Sequence, residues 1–170
     1  MATQRASEWL GQIAEYWREE HPDRAFSSIR ALLSLGRLSL QLPAYQKRAL
    51  EPFKLAPIDY SILSALRRAG GTRTLVPGDL YSALQCTPGG LTKMIARLER
   101  QGLVKRLTDA SDGRRAHIRL TPKGAALESK AGAEYLESAD RLLSKLSPDE
   151  LEQVNAALAL LLECFEGEDA

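Results

Sequence analysis

The sequence predicts a mainly α-helical chain interrupted once by a short β-hairpin. Three observations predict it. Apolar residues recur at helical spacing over most of the 170 residues. Pro57, Pro77, Pro88, Pro122 and Pro148 each open such a run, at the first helical position, where a missing N–H costs nothing. Helical spacing gives way at residues 103–120, where two short strand candidates flank a segment rich in turn formers.

Taken in order, residues 7–20 form an amphipathic helix, with Ser7 as its cap and Leu10, Ile13 and Trp17 on one side. His21-Pro22-Asp23 breaks it. So short a helix is marginal alone and is expected to dock on the rest of the molecule or on a partner subunit. Residues 24–50 make a longer helix with Phe26, Ile29, Leu32, Leu33, Leu40 and Leu42 as apolar positions, and a kink is expected at Pro43. Residues 51–56 are a linker. Pro57 then opens a helix with Asp59 in its first turn, where a carboxylate suits the dipole. Ile58, Ile62, Leu63 and Leu66 give its buried side, and Gly70-Gly71 end it.

Residues 72–76 are a short extended segment able to pair with the hairpin. A helix over 77–84 and a tight turn at Gln85-Cys86-Thr87 lead into the helix over 88–101. Thr87 caps that helix, Leu91, Met94, Ile95 and Leu98 trace its apolar stripe, and Gly102 stops it as a C′ glycine. Its solvent side carries Gly89, Gly90, Thr92, Lys93, Arg97 and Arg100. Strands follow at 103–107 and 116–120, then a long helix over 122–146. The last helix, 148–165, has a wide apolar stripe of Leu151, Val154, Leu158, Leu161, Leu162 and Phe165. Such a stripe is more often intrachain core. Here a compact helix–turn–helix–hairpin unit is already complete without it, so a homodimer interface is expected, shared with the N-terminal helices.

Charge points to function. Residues 87–124 hold nine cations and three acids, net +6, whereas residues 125–170 net −8 and the first 86 residues +3. The chain is almost neutral on average yet strongly polarised, and its basic part is one helix plus one hairpin. A basic helix with small residues at its exposed N-terminus can enter a major groove, and a basic hairpin tip can reach the backbone or the minor groove. A solvated charged face is the plainer explanation of any single charge run. The coincidence of cap, glycine stop, hairpin and second cap favours nucleic acid, with Thr87, Gly89, Gly90, Thr92, Lys93 and Arg97 on the helix and Arg114 and Arg115 on the hairpin as DNA-binding candidates.

The same segment resembles the winged helix-turn-helix of the MarR family. The family's Asp-x-Arg, five residues, Leu-Thr, then Gly pattern appears as Asp112-Gly113-Arg114, Leu120-Thr121 and Gly124, and GGLTKMIARLERQGLVKR stands in the place of its recognition helix. The helix order is similar too, so the resemblance covers most of the chain. It implies a mainly α fold with a small β-hairpin wing. The regions are N-terminal helices over 1–56, the winged helix-turn-helix over 57–122 and C-terminal dimerisation helices over 123–170, with Leu151, Val154, Leu158, Leu161 and Phe165 at the dimer contact. Functionally it implies a homodimeric repressor on a pseudopalindromic double-stranded operator, released by a small aromatic or phenolic anion.

The extra N-terminal helix with Trp17, together with Asp59 and Arg106, resembles the urate-responsive branch of the family. By that resemblance Trp17, Asp59 and Arg106 are ligand-binding. Met94 stands where the branch has its other Arg, which shifts the expectation from urate to a flat aromatic anion with one acidic group. Each of the three also has a plainer role: Trp17 as core, Asp59 as a helix-start carboxylate, Arg106 as a phosphate contact.

Other classes are weaker. H-E-x-x-H, C-x-x-C, G-x-S-x-G and P-loop patterns are absent, so no catalytic residue, metal site or cofactor is expected. Two distant cysteines, Cys86 and Cys164, do not suggest a disulfide framework. Cys86, just before a helix N-terminus, leaves open a redox-sensing repressor. A winged helix that docks protein instead of DNA is the other alternative. No apolar run reaches the roughly 18 residues of a membrane span, and no signal-peptide core opens the chain, so a cytoplasmic protein is expected.

Overall fold

The computed structural model describes residues 6–84, 88–108 and 116–168. Among them lie α1 (Ala6–Glu20), α2 (Ser27–Leu50), α3 (Pro57–Arg68), β1 (Thr74–Leu75), α4 (Pro77–Leu84), α5 (Pro88–Arg100), β2 (Val104–Thr108), β3 (Ala116–Leu120), α6 (Pro122–Leu143) and α7 (Pro148–Glu168). The mainly α fold with a small antiparallel sheet is as the sequence predicts. Contacts divide the chain after Asp59 into two units.

In the first unit α1 packs on α2. Leu10, Ile13 and Trp17 of α1 face Phe26, just ahead of α2, and Ile29 and Leu33 of α2 across a narrow crevice. The Arg37 guanidinium lies 4.9 Å from the Trp9 ring centroid, a cation–π contact. α2 begins at Ser27 rather than near residue 24, because Arg24 N–H turns back to the His21 carbonyl. It then runs through Pro43 as one span, although proline leaves the Ser39 carbonyl without its usual donor. The expected linker over 51–56 is an ordered stop. Leu55 N–H reaches the Leu50 carbonyl and Lys54 N–H the Glu51 carbonyl, the paired bonds of a Schellman motif. Lys54 adopts the left-handed conformation (φ 55°) that glycine usually fills, at a cost of about 1–2 kcal/mol.

The second unit is built on a filled core. Ile62, Leu63 and Leu66 of α3, Leu80 of α4, and Leu91, Ile95 and Leu98 of α5 are buried. Val104, Ile118 and Leu120 close the core from the sheet, whose strand order is β1-β3-β2, antiparallel throughout. The register pairs Val104 with Leu120 and Arg106 with Ile118. Side chains alternate along a strand, so Val104, Arg106, Ile118 and Leu120 share the inward side. Lys105, Leu107, His117 and Arg119 share the other.

The start of α6 explains the Leu-Thr-x-x-Gly pattern physically. Thr121 Oγ1 accepts from Gly124 N–H at 3.0 Å and donates to the Gly102 carbonyl at 2.8 Å, tying α6 to the end of α5. A Cβ on Gly124 would fall 2.1 Å from the Leu103 carbonyl oxygen, so only glycine fits there. Farther along α6, Arg67 Nε stands 3.0 Å from Glu128 Oε2, and Arg67 Nη1 donates to the Ala125 carbonyl at 3.0 Å. α6 ends at Leu143, three residues earlier than its apolar spacing suggests. A separate turn, Leu146 N–H to the Leu143 carbonyl, precedes α7. Ser147 and Glu150 cap α7 reciprocally: Ser147 N–H donates to Glu150 Oε2 at 2.8 Å, and Glu150 N–H to Ser147 Oγ at 3.3 Å.

Candidate nucleic-acid interface and the cleft beside it

α4 and α5 are the two helices of the helix-turn-helix. Leu80 anchors α4, while Leu91, Ile95 and Leu98 turn the apolar stripe of α5 inward. That leaves Gly89, Thr92, Lys93 and Arg100 exposed, with Gly90 and Arg97 half-buried. A Cβ on Gly89 would meet no atom within 4 Å, so nothing inside the chain requires a glycine there. Glycine in an exposed helical turn costs about 0.5–1 kcal/mol relative to alanine. The open space suits a partner that approaches the backbone itself.

α5 stops as the sequence predicts. Gly102 takes the left-handed conformation (φ 71°), Gly102 N–H bonds the Glu99 carbonyl, and Leu103 N–H bonds the Leu98 carbonyl. Leu103 is thereby used in the helix stop and buried, so β2 begins one residue later than expected. Thr87, Arg114 and Arg115, and with them Cys86 and Asp112, lie outside the described residues.

Arg106 sits where the reversed chain meets α5. Its position in β2 turns it to the inward side of the sheet, at the rim, with 43% of its side chain exposed. It borders a cleft of about 120 Å³ with Pro77 and Tyr81 of α4, Leu91, Thr92 and Ile95 of α5, and Ile118 of β3. Arg106 Nη2 lies 3.5 Å from the Thr92 carbonyl. Glu99 Oε1 accepts the Arg106 backbone N–H at 3.0 Å, and Glu99 Oε2 lies 3.6 Å from Arg106 Nε. Sequence reasoning counted Glu99 only as a charge. The signal that could have found it is the glycine stop: a chain reversing at Gly102 brings the residue seven ahead back beside the last helical turn.

The other two ligand candidates belong to the first unit. The Trp17 ring stacks on His21 at 5.3 Å between centroids and meets Tyr16 edge-on at 5.7 Å. The Asp59 carboxylate is buried and accepts from Ala56 N–H at 3.4 Å, closing the start of α3. Along α7, Val154, Leu158, Leu162 and Phe165 are exposed, and Leu151 and Leu161 are half-buried. Among the described residues no helix is long and apolar enough to cross a membrane, and no cluster of three or more His, Cys, Asp or Glu side chains could hold a metal.

The model of the MarR family matches residues 53–115, a range that takes in α3, β1, α4, α5 and β2. The chain is 30% identical over 149 residues to the HTH-type transcriptional regulator PecS of Dickeya dadantii, which covers 88% of this chain and 90% of PecS. It is 33% identical over 101 residues to the multiple antibiotic resistance protein MarR of Salmonella typhimurium, covering 56% and 67%. Among solved structures it is similar to wild-type MarR from E. coli in the apo form (TM-score 0.65, 26% identity, 75% of this chain and 96% of that one). It is also similar to a mutant E. coli MarR complexed with operator DNA (TM-score 0.68, 25% identity, 82% and 99%). With the glycine-stopped basic helix, the three-stranded sheet and the Thr121–Gly124 lock in place, the chain belongs to the MarR family of winged-helix transcriptional regulators.

Proposed function

We propose that the protein is a homodimeric repressor that binds a pseudopalindromic operator and is released by a small aromatic anion. The observation that carries the DNA part is α5, whose Leu91, Ile95 and Leu98 are buried and Met94 half-buried while Gly89, Thr92 and Lys93 stand open to solvent. Lys93 and Arg97 would reach phosphates or guanine O6/N7, and the hairpin tip would place Arg114 and Arg115 in the minor groove. Dimerisation through Leu151, Val154, Leu158, Leu161 and Phe165 would set two such helices about one turn, roughly 10 bp, apart.

The ligand part rests on Arg106. Its cleft, about 120 Å³, is smaller than the ~150 Å³ cavity that admits benzene, so one ring fits only with its polar end left at the rim. Apolar Leu91, Ile95 and Ile118 suit the ring face, and Arg106 suits a carboxylate or phenolate. Because the cleft shares Thr92 and Arg106 with the helix and wing that meet DNA, a ligand there can favour one arrangement of α5 over another. It shifts the balance only if its affinity differs between the two.

The test is a random-site selection followed by fluorescence anisotropy on the selected duplex across a salt series. Wild type should bind steeply against salt, and Lys93→Ala should lower the log–log slope by about 1, the signature of one lost phosphate contact. Equal, weak affinity for every duplex, unchanged in the variant, would reject the reading in favour of a protein-docking winged helix.

A further inference from the structure

The one cation that borders the cleft among its lining residues, Arg106, already has an acid beside it, Glu99. We propose that Glu99 is a built-in competitor for Arg106, a carboxylate that offsets the charge an acidic ligand would pair with and that therefore sets which anions the cleft accepts. The proposal rests on the Arg106 ligand reading above and adds the residue that tunes it.

Strand alternation turns Arg106 to the same side as buried Val104, opposite Ile118. A cation on the inward side of a sheet needs a countercharge. Glu99, on the last turn of α5, supplies one because Gly102 reverses the chain beneath it. Its two oxygens do different work. Oε1 accepts the Arg106 backbone N–H at 3.0 Å and ties the middle of β2 to α5. Oε2 faces the guanidinium, but at 3.6 Å it is well outside the 2.7–2.9 Å of a charge-assisted hydrogen bond.

Among the described residues the other side-chain contact of Arg106, to the Thr92 carbonyl, is also long at 3.5 Å. The guanidinium is thus paired loosely and on one edge. A planar carboxylate can offer it two parallel short bonds, which Glu99 does not make. Both side chains are about two-fifths exposed, 43% for Arg106 and 40% for Glu99, so the exchange needs no buried charge to move. While it stays, Glu99 repels any anion that cannot replace it. A neutral ring of the same shape feels no such exclusion.

The experiment is isothermal titration calorimetry of the full chain with benzoate and with neutral benzamide, on wild type, Glu99→Gln and Arg106→Ala. Glutamine keeps an oxygen for the Arg106 N–H, and an unchanged melting midpoint confirms that this tie is intact. Glu99→Gln should bind benzoate about two- to fivefold more tightly, the range expected when an exposed pair no longer competes, with benzamide unmoved. Benzoate affinity that stays the same or falls in Glu99→Gln overturns the competitor role while the ligand site stands. So does an equal shift for benzamide, which would mean a reshaped cleft and not a removed charge. Failure of the ligand reading looks different: wild type takes up no benzoate, or Arg106→Ala binds it as wild type does.

Discussion

α5 and α7 carry similar apolar stripes and have opposite fates. Leu91, Ile95 and Leu98 on α5 are all at most 3% exposed, while Leu158, Phe165 and Leu162 on α7 are 40%, 50% and 60% exposed. The first stripe is covered by α4 and the strands of the same lobe. The second is left uncovered, and so are Leu38, Leu40 and Leu42 of α2. Periodicity tells which side of a helix is apolar; it does not tell which chain covers it. Burying a leucine stabilises by about 1.5–3 kcal/mol, so a helix with four or more such residues in water marks a surface awaiting cover. Among the described residues the DNA-binding lobe covers its own stripe, whereas the helices outside it leave theirs open.

The sharpest way to break this contrast is to charge the uncovered stripe. On the proposed α7 dimer contact, Leu158→Glu with Leu162→Glu should leave a monomer in sedimentation equilibrium where wild type is a dimer. Operator affinity should fall by about 10²–10⁴-fold, because two linked half-site contacts become separate events. The lobe core, which the substitutions do not touch, should keep its protection in hydrogen exchange. A double variant that remains dimeric and binds as wild type would assign the dimer contact elsewhere.

Two glycines sharpen the contrast within the lobe. Gly124→Ala drives a methyl group into the Leu103 backbone carbonyl, which cannot swing aside, and should destabilise by about 1–3 kcal/mol or more in urea unfolding. Gly89→Ala meets nothing in the chain and should stabilise by about 0.5–1 kcal/mol while weakening operator binding. Stability and affinity moving in opposite directions at Gly89 would show that its glycine serves an outside surface. Both moving down would make it a folding residue.

Much of this architecture was legible in the chain because its local rules agree. Prolines at Pro57, Pro88, Pro122 and Pro148 mark helix starts, Gly102 marks a stop, and the inward residues of α3 and α5 follow the 3.6 period. What the sequence hid depends on reversal or on register. The approach of Glu99 to Arg106 exists only because the chain folds back at Gly102. The inward aim of Arg106 follows from its pairing with Ile118, which no count of charges reveals. The stop after α2 was hidden for another reason: Lys54 does there what glycine normally does. Ligand residues were legible only through resemblance. Of the three, Asp59 is placed in a helix-start bond that its position in the first turn already suggested.

The smallest effect concerns how α7 holds its own first turn without a core beneath it. The Glu150 carboxyl is held below its ordinary value of 4.5, first by the Ser147 backbone N–H and then by the Ser147 hydroxyl. A carboxylate lowered on folding contributes stability that is fully present above its unfolded value and is lost as pH falls through the lowered folded one. The start of α7 should therefore loosen only in acid below that ordinary value. A carboxyl-carbon NMR titration should find Glu150 titrating below 4.5 in wild type. Ser147→Ala should move it back only part of the way, because the larger bond comes from the backbone and survives the substitution. If Ser147→Ala returned it all the way, the hydroxyl would be the principal donor. If it did not move at all, the backbone N–H alone would lower the carboxyl. In either of the first two outcomes the first turn of α7 is kept by two residues of its own, and the apolar stripe that follows is free to be shaped by a partner.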